Sequence, residues 1–119
     1  MSNTVLVVDD DKEILRLFEL MLQSVGYNVE TASSGEEALE KAKKFSFDLA
    51  ILDIMLGDMK GYDLAPKITS GEKPRILFIT GFSEAYNYVR SLPFAPVKIL
   101  MKPIMLSDLV KIVNEMLES

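Results

Sequence analysis

The chain has 119 residues, 49% of them apolar and 26% charged, with a net charge of −5. That is enough for one domain with its own core and too apolar for a disordered chain. Cysteine and histidine are both absent, which excludes disulfides, thiolate nucleophiles and metal sites, Ser-His triads and phosphohistidine carriers. The acidic balance argues against direct nucleic-acid binding. With no signal peptide and no apolar run near the ~20 residues of a membrane span, a soluble cytoplasmic protein is expected.

Thr4 to Val8 is apolar and β-branched, a buried strand that runs into Asp9, Asp10 and Asp11. Ile14, Leu15, Phe18, Met21, Leu22 and Val25 then recur at helical spacing. The acids suit the positive end of that helix, and Gly26 is its stop. Tyr27 to Ala32 reads as a short strand. Ser34-Gly35-Glu36-Glu37 forms a capping box, opening a helix to about Lys44 with Ala38, Leu39 and Ala42 inward. Leu49-Ala50-Ile51-Leu52-Asp53 is an unbroken apolar run ending on a carboxylate, the pattern of a central strand covered on both faces.

Gly57, Asp58, Lys60 and Gly61 mark a loop. A helix over about 62–70 follows, and Pro66 should make it short or kinked. A turn over 70–74 leads to a strand from Arg75 to Thr80. Next come a helix over about 84–91, an irregular link bounded by Pro93 and Pro96, and a last strand from Val97 to Met101, ending at Lys102-Pro103. Ser107 is expected to cap the final helix, with Leu109, Ile112, Val113, Met116 and Leu117 inward. Five strands alternating with five helices predict one doubly wound α/β domain over residues 1–119, a parallel sheet with helices on both faces. Neither the dinucleotide fingerprint nor the P-loop occurs.

Such a sheet brings its strand ends to one edge, where ligands bind. Asp9 and Asp10, Asp53, Thr80 and Lys102 would meet there. Carboxylates that close need a cation or shared protons. Mg²⁺ is a hard ion suited to oxygen ligands. Metal, ammonium and hydroxyl together would neutralise a phosphoryl group in transfer, and a carboxylate can itself accept it. Taken singly, each residue has an ordinary explanation: Asp10 as a helix start, Thr80 as a strand end, Lys102 as a solvated lysine, Asp53 as a turn cap. Their occurrence at four different strand ends makes coincidence a poor account.

Val7-Val8-Asp9-Asp10, then Asp53, Thr80 and Lys102-Pro103, resemble the receiver domain of two-component response regulators, in order and spacing, over essentially the whole chain. The resemblance implies a flavodoxin-like fold with strand order 2-1-3-4-5. It implies that Asp53 takes a phosphoryl group from a phosphohistidine on a sensor histidine kinase or phosphotransfer protein. Asp10, Asp53 and the backbone carbonyl of Met55 would ligate Mg²⁺ directly, with Asp9 acting mostly through water. Thr80 and Lys102 would hold the phosphoryl oxygens, and Lys102-Pro103 would carry a cis peptide. Gly61 and Gly81 match the family's small residues.

Four positions depart from the family. Gly57 replaces a usual proline, so a more mobile loop is expected there. Ile99 replaces the aromatic residue whose ring usually moves with the hydroxyl residue. Met55 and Phe82 are apolar where a polar side chain would orient attacking water, so slow loss of the phosphoryl group is expected. The reading is a signalling switch rather than an enzyme, acting on a downstream protein or an output domain outside this chain. Two alternatives stand beside it. One is a pseudo-receiver acting by phosphorylation-independent contacts. The other is a Mg²⁺-dependent phosphohydrolase of the haloacid dehalogenase kind, which would want an acid where Met55 stands.

Overall fold

The computed structural model describes residues 3–81 and 97–118. Within them β1 (Thr4–Val8), β2 (Asn28–Ala32), β3 (Leu49–Asp53), β4 (Arg75–Thr80) and β5 (Val97–Met101) form one sheet. All its pairings are parallel and its order is 2-1-3-4-5. Four helices accompany it among the described residues: α1 (Lys12–Ser24), α2 (Gly35–Lys44), α3 (Gly61–Ile68) and α4 (Leu106–Glu118). The helix expected over 84–91 lies outside the described residues, as do Phe82, Tyr86, Tyr88, Pro93 and Pro96.

Strand alternation divides the core in two. Leu6, Leu52 and Phe78 pack with Ala38 of α2 and Leu64 of α3. Val7, Ile51 and Ile79 pack on the opposite face with Phe18 of α1 and Val113 of α4. Every residue of β3 is buried, as an uninterrupted apolar run in a doubly covered sheet requires. Truncating a fully buried leucine such as Leu52 or Leu64 would cost ~2–5 kcal/mol.

The local signals explain the boundaries. Asp11 caps α1, its carboxylate accepting the N–H groups of Glu13 at 2.9 Å and Ile14 at 3.4 Å. Gly26 ends that helix with φ +103°. Its N–H reaches the Gln23 carbonyl and that of Tyr27 reaches the Leu22 carbonyl, the paired bonds of a Schellman stop. Val25 is therefore not part of the inward stripe: it sits at the cap, 45% exposed. Tyr27 likewise precedes β2 rather than opening it, because its N–H closes the helix stop.

In α2, Ser34 accepts the Glu37 N–H, while the Glu37 carboxylate reaches back to Ser33 rather than to Ser34. Helix α3 is short, as Pro66 predicts, and spans 61–68 instead of 62–70. Helix α4 begins at Leu106, so Ser107 lies in its first turn and is not the residue before it. The N–H groups of Asp108 and Leu109 bond to the Met105 carbonyl. No helix of the described residues is long and apolar enough to cross a membrane.

Candidate functional site

The ends of β1, β3, β4 and β5 do converge. Asp9 follows β1 and is fully buried, Asp53 closes β3 at 5% exposure, and Thr80 closes β4 fully buried. Asp10 is exposed at the mouth. Carboxylate oxygens of Asp9, Asp10 and Asp53 all lie within 4.8 Å of one another. Lys102 reaches in from the end of β5. Its Nζ donates to Asp53 Oδ2 at 3.0 Å and lies 3.4 Å from Asp9 Oδ2. The Lys102 N–H also donates to the Thr80 carbonyl at 2.7 Å, which ties the lysine to the threonine strand. The Lys102–Pro103 peptide is cis, as expected, and so is Lys73–Pro74.

The charges are finely divided. Asp53 Oδ1 accepts the Met55 N–H at 3.1 Å and Asp9 Oδ1 accepts the Asp11 N–H at 2.9 Å. Asp9 Oδ2 is buried and, among the described residues, has only the ion pair with Lys102 and no well-formed hydrogen bond. Burial raises the Asp9 carboxyl from 3.8 to about 6. The Asp11 N–H and the Lys102 ammonium oppose that rise, and the charge of Asp53 adds to it. Burial pulls the Lys102 ammonium down, but its hydrogen bond and charge pairing with Asp53, and then with Asp9, outweigh burial and hold it above 10.5. An acid pushed toward neutrality beside two others, with an unsatisfied buried oxygen, is short of positive charge. The all-oxygen donor set suits a hard divalent cation.

The loop after Asp53 shapes one wall. An ideal Cβ on Gly61 would sit 2.4 Å from the Asp53 carbonyl oxygen, so only glycine lets α3 start against the end of β3. Gly57 has φ +89°. A proline, locked near ~−65°, cannot adopt that backbone, so the loop is built differently from one carrying proline there. Met55 is 40% exposed and its Sδ accepts from Lys60 Nζ at 2.9 Å. It borders the site and is not packed away in the core. Ile99 lies opposite Phe78 and is partly buried in the cluster beneath α2 and α3, an aliphatic core contact with no ring to move.

Residue for residue, the expected acids and Lys102 are brought together, and Thr80 is fixed at the neighbouring strand end. Missed from the sequence was the role of Asp58. It lies 23 and 22 positions from Gly35 and Glu36, yet accepts both of their N–H groups at 3.0 Å. These backbone bonds hold its carboxyl below 3.8. A Gly-Asp pair reads only as a turn, and no local pattern identifies the helix it will cap.

The response regulator receiver domain family matches residues 5–114. This chain belongs to that family. Response regulator ArlR of Staphylococcus aureus is 33% identical over 105 residues, covering 88% of this chain and 48% of that protein. The chain thus spans about half the length of the curated relatives it matches. Among solved structures, a CheY-like receiver domain protein from Methanospirillum hungatei JF-1 superposes with a TM-score of 0.88 at 35% identity, over 99% of this chain and 95% of that one. The chemotaxis response regulator CheY4 of Vibrio cholerae gives 0.85 at 30% identity, over 98% and 100%. The receiver domain of a two-component response regulator therefore accounts for the fold, the strand order and the acidic edge together.

Proposed function

We propose that residues 1–119 form one receiver domain whose Asp53 accepts a phosphoryl group from a phosphohistidine on a sensor histidine kinase or phosphotransfer protein. An Asp53 carboxylate oxygen attacks phosphorus, a P–O bond forms, the P–N bond to the donor imidazole breaks, and the leaving imidazole nitrogen keeps that electron pair and takes a proton from solvent. The convergence of three carboxylates and one ammonium at one edge of the sheet carries this reading.

Asp10, Asp53 and the Met55 carbonyl would hold Mg²⁺, with Asp9 beside them. Bound there, the metal supplies positive charge to the phosphoryl oxygens. The Lys102 ammonium pairs with a phosphoryl oxygen once Asp53 is an acyl phosphate, and the Thr80 hydroxyl donates to another. The product is a changed surface for a downstream protein or an output domain, so the domain is a switch and not a metabolic enzyme. We place it in the cytoplasm with its kinase. The phosphohydrolase alternative lacks support, because the residue two after Asp53 is Met55 and carries no acid.

Incubation with a small-molecule phosphodonor and Mg²⁺, read by intact mass, tests the assignment. Wild type should gain one phosphoryl group and Asp53→Ala none. A gain in both, or in neither, would overturn it.

A further inference from the structure

The loop between Asp53 and α3 touches three things at once. At its start the Met55 N–H donates to Asp53 Oδ1 at 3.1 Å. At its middle an ideal Cβ on Gly57 would lie 3.9 Å from Asp10 Oδ2, so the turn passes over the second acid. Just beyond, Asp58 accepts the N–H groups of Gly35 and Glu36, one on each carboxylate oxygen, both at 3.0 Å.

The loop is also closed on itself. Leu56 N–H donates to the Met59 carbonyl at 3.2 Å, and Gly61 N–H donates to the Ile54 carbonyl at 2.8 Å. Leu56 is anchored in the core beneath. A closed loop has few independent motions, so a fixed tip fixes its start. The exception is Gly57, whose left-handed backbone leaves the turn without the stiffness a ring would give.

The anchor is sound on physical grounds. The first N–H groups of a helix have no partner inside it, and a carboxylate there is favoured by the helix dipole. Charge-assisted bonds to backbone N–H groups are about twice as strong as neutral ones. Met59 adds a second contact. A Cβ on Gly35 would fall 2.4 Å from its side chain, so the methionine lies directly over the first residue of α2.

We propose that Asp58 is a positioning residue for the metal. By clamping the loop to α2, it holds the Met55 carbonyl and the turn over Asp10 in place, doing the stiffening that Gly57 cannot. The inference rests on the Mg²⁺ site proposed above. It concerns a residue that touches neither metal nor phosphoryl group, and it makes α2 a support of the site.

Mg²⁺ titration of the unphosphorylated protein, followed by amide NMR shifts, tests it in four proteins. Wild type should saturate. Asp58→Ala should bind about tenfold more weakly, the lower end of what outer partners of metal ligands contribute. Asp58→Asn, which keeps one acceptor, should fall between the two. Ser34→Ala removes the helix's own cap, the Glu37 N–H bond at 3.1 Å, without touching the loop, and should bind as wild type does. Equal affinity in wild type and Asp58→Ala overturns the clamp. So does an equal loss in Ser34→Ala and Asp58→Ala, which would mean that any fraying of α2 suffices. If wild type itself shows no saturable shift, the metal reading fails and the inference with it, a result distinct from the other two.

Discussion

Asp9 is the most informative residue to perturb, because burial and function pull it in opposite directions. Replacing it by asparagine keeps its size and its Oδ1 acceptor for the Asp11 N–H at 2.9 Å, and removes the charge. The rise of its carboxyl from 3.8 to about 6 corresponds to about 3 kcal/mol against the charged form at neutral pH, at ~1.4 kcal/mol per pH unit. The new amide protons must face the Lys102 ammonium, 3.4 Å from Oδ2, so a net gain of about 2 kcal/mol is expected for Asp9→Asn without metal. For a chain of 119 residues that is an increase in Tm of about 8 °C.

The sign follows from proton linkage. A folded-state value above the unfolded one means that the folded wild type holds its proton more tightly. Wild-type stability from this group is fully present below 3.8 and is lost as pH rises through about 6. The advantage of Asp9→Asn should therefore be largest at pH 7 and shrink by more than half at pH 4.5. Urea denaturation of both proteins in chelator, at the two pH values, measures it. Adding Mg²⁺ should stabilise wild type more than the variant, because a ligand of the folded state raises stability in proportion to its binding. An Asp9→Asn protein no more stable than wild type at pH 7 would refute the idea that Asp9 is an acid held against its preference.

Gly61→Ala should destabilise by about 2–3 kcal/mol, because its Cβ would meet the Asp53 carbonyl oxygen at 2.4 Å, a backbone atom that cannot swing aside. Denaturant melts measure this, and an unchanged midpoint would contradict the close approach. Met55→Asn should speed loss of the phosphoryl group from Asp53 on the order of tenfold, less than the ~10²–10⁴ of a full general base because an amide only orients water. Phosphoprotein decay followed by intact mass measures it, and an unchanged decay rate would remove Met55 as a barrier to water.

Much of this protein is legible along the chain because its signals are local. The apolar run of β3 fits a doubly covered strand, and alternation of strands with helices leaves few topologies beyond a parallel sheet. Strand ends sharing an edge then put Asp9, Asp10, Asp53, Thr80 and Lys102 together, since register follows once the strands are buried. Tertiary structure decided what depends on contacts between distant segments. The buried, unsatisfied oxygen of Asp9 arises where burial sets it beside Asp53 at the end of β3 and Lys102 at the end of β5. The need for glycine at position 61 comes from the backbone of β3, and the positive φ at Gly57 from a turn whose shape no dipeptide specifies. The Asp58 clamp joins residues 22 and 23 positions apart. A side chain's chemistry is set by its type, but a carboxylate's partners are set by which N–H groups the fold leaves open beside it.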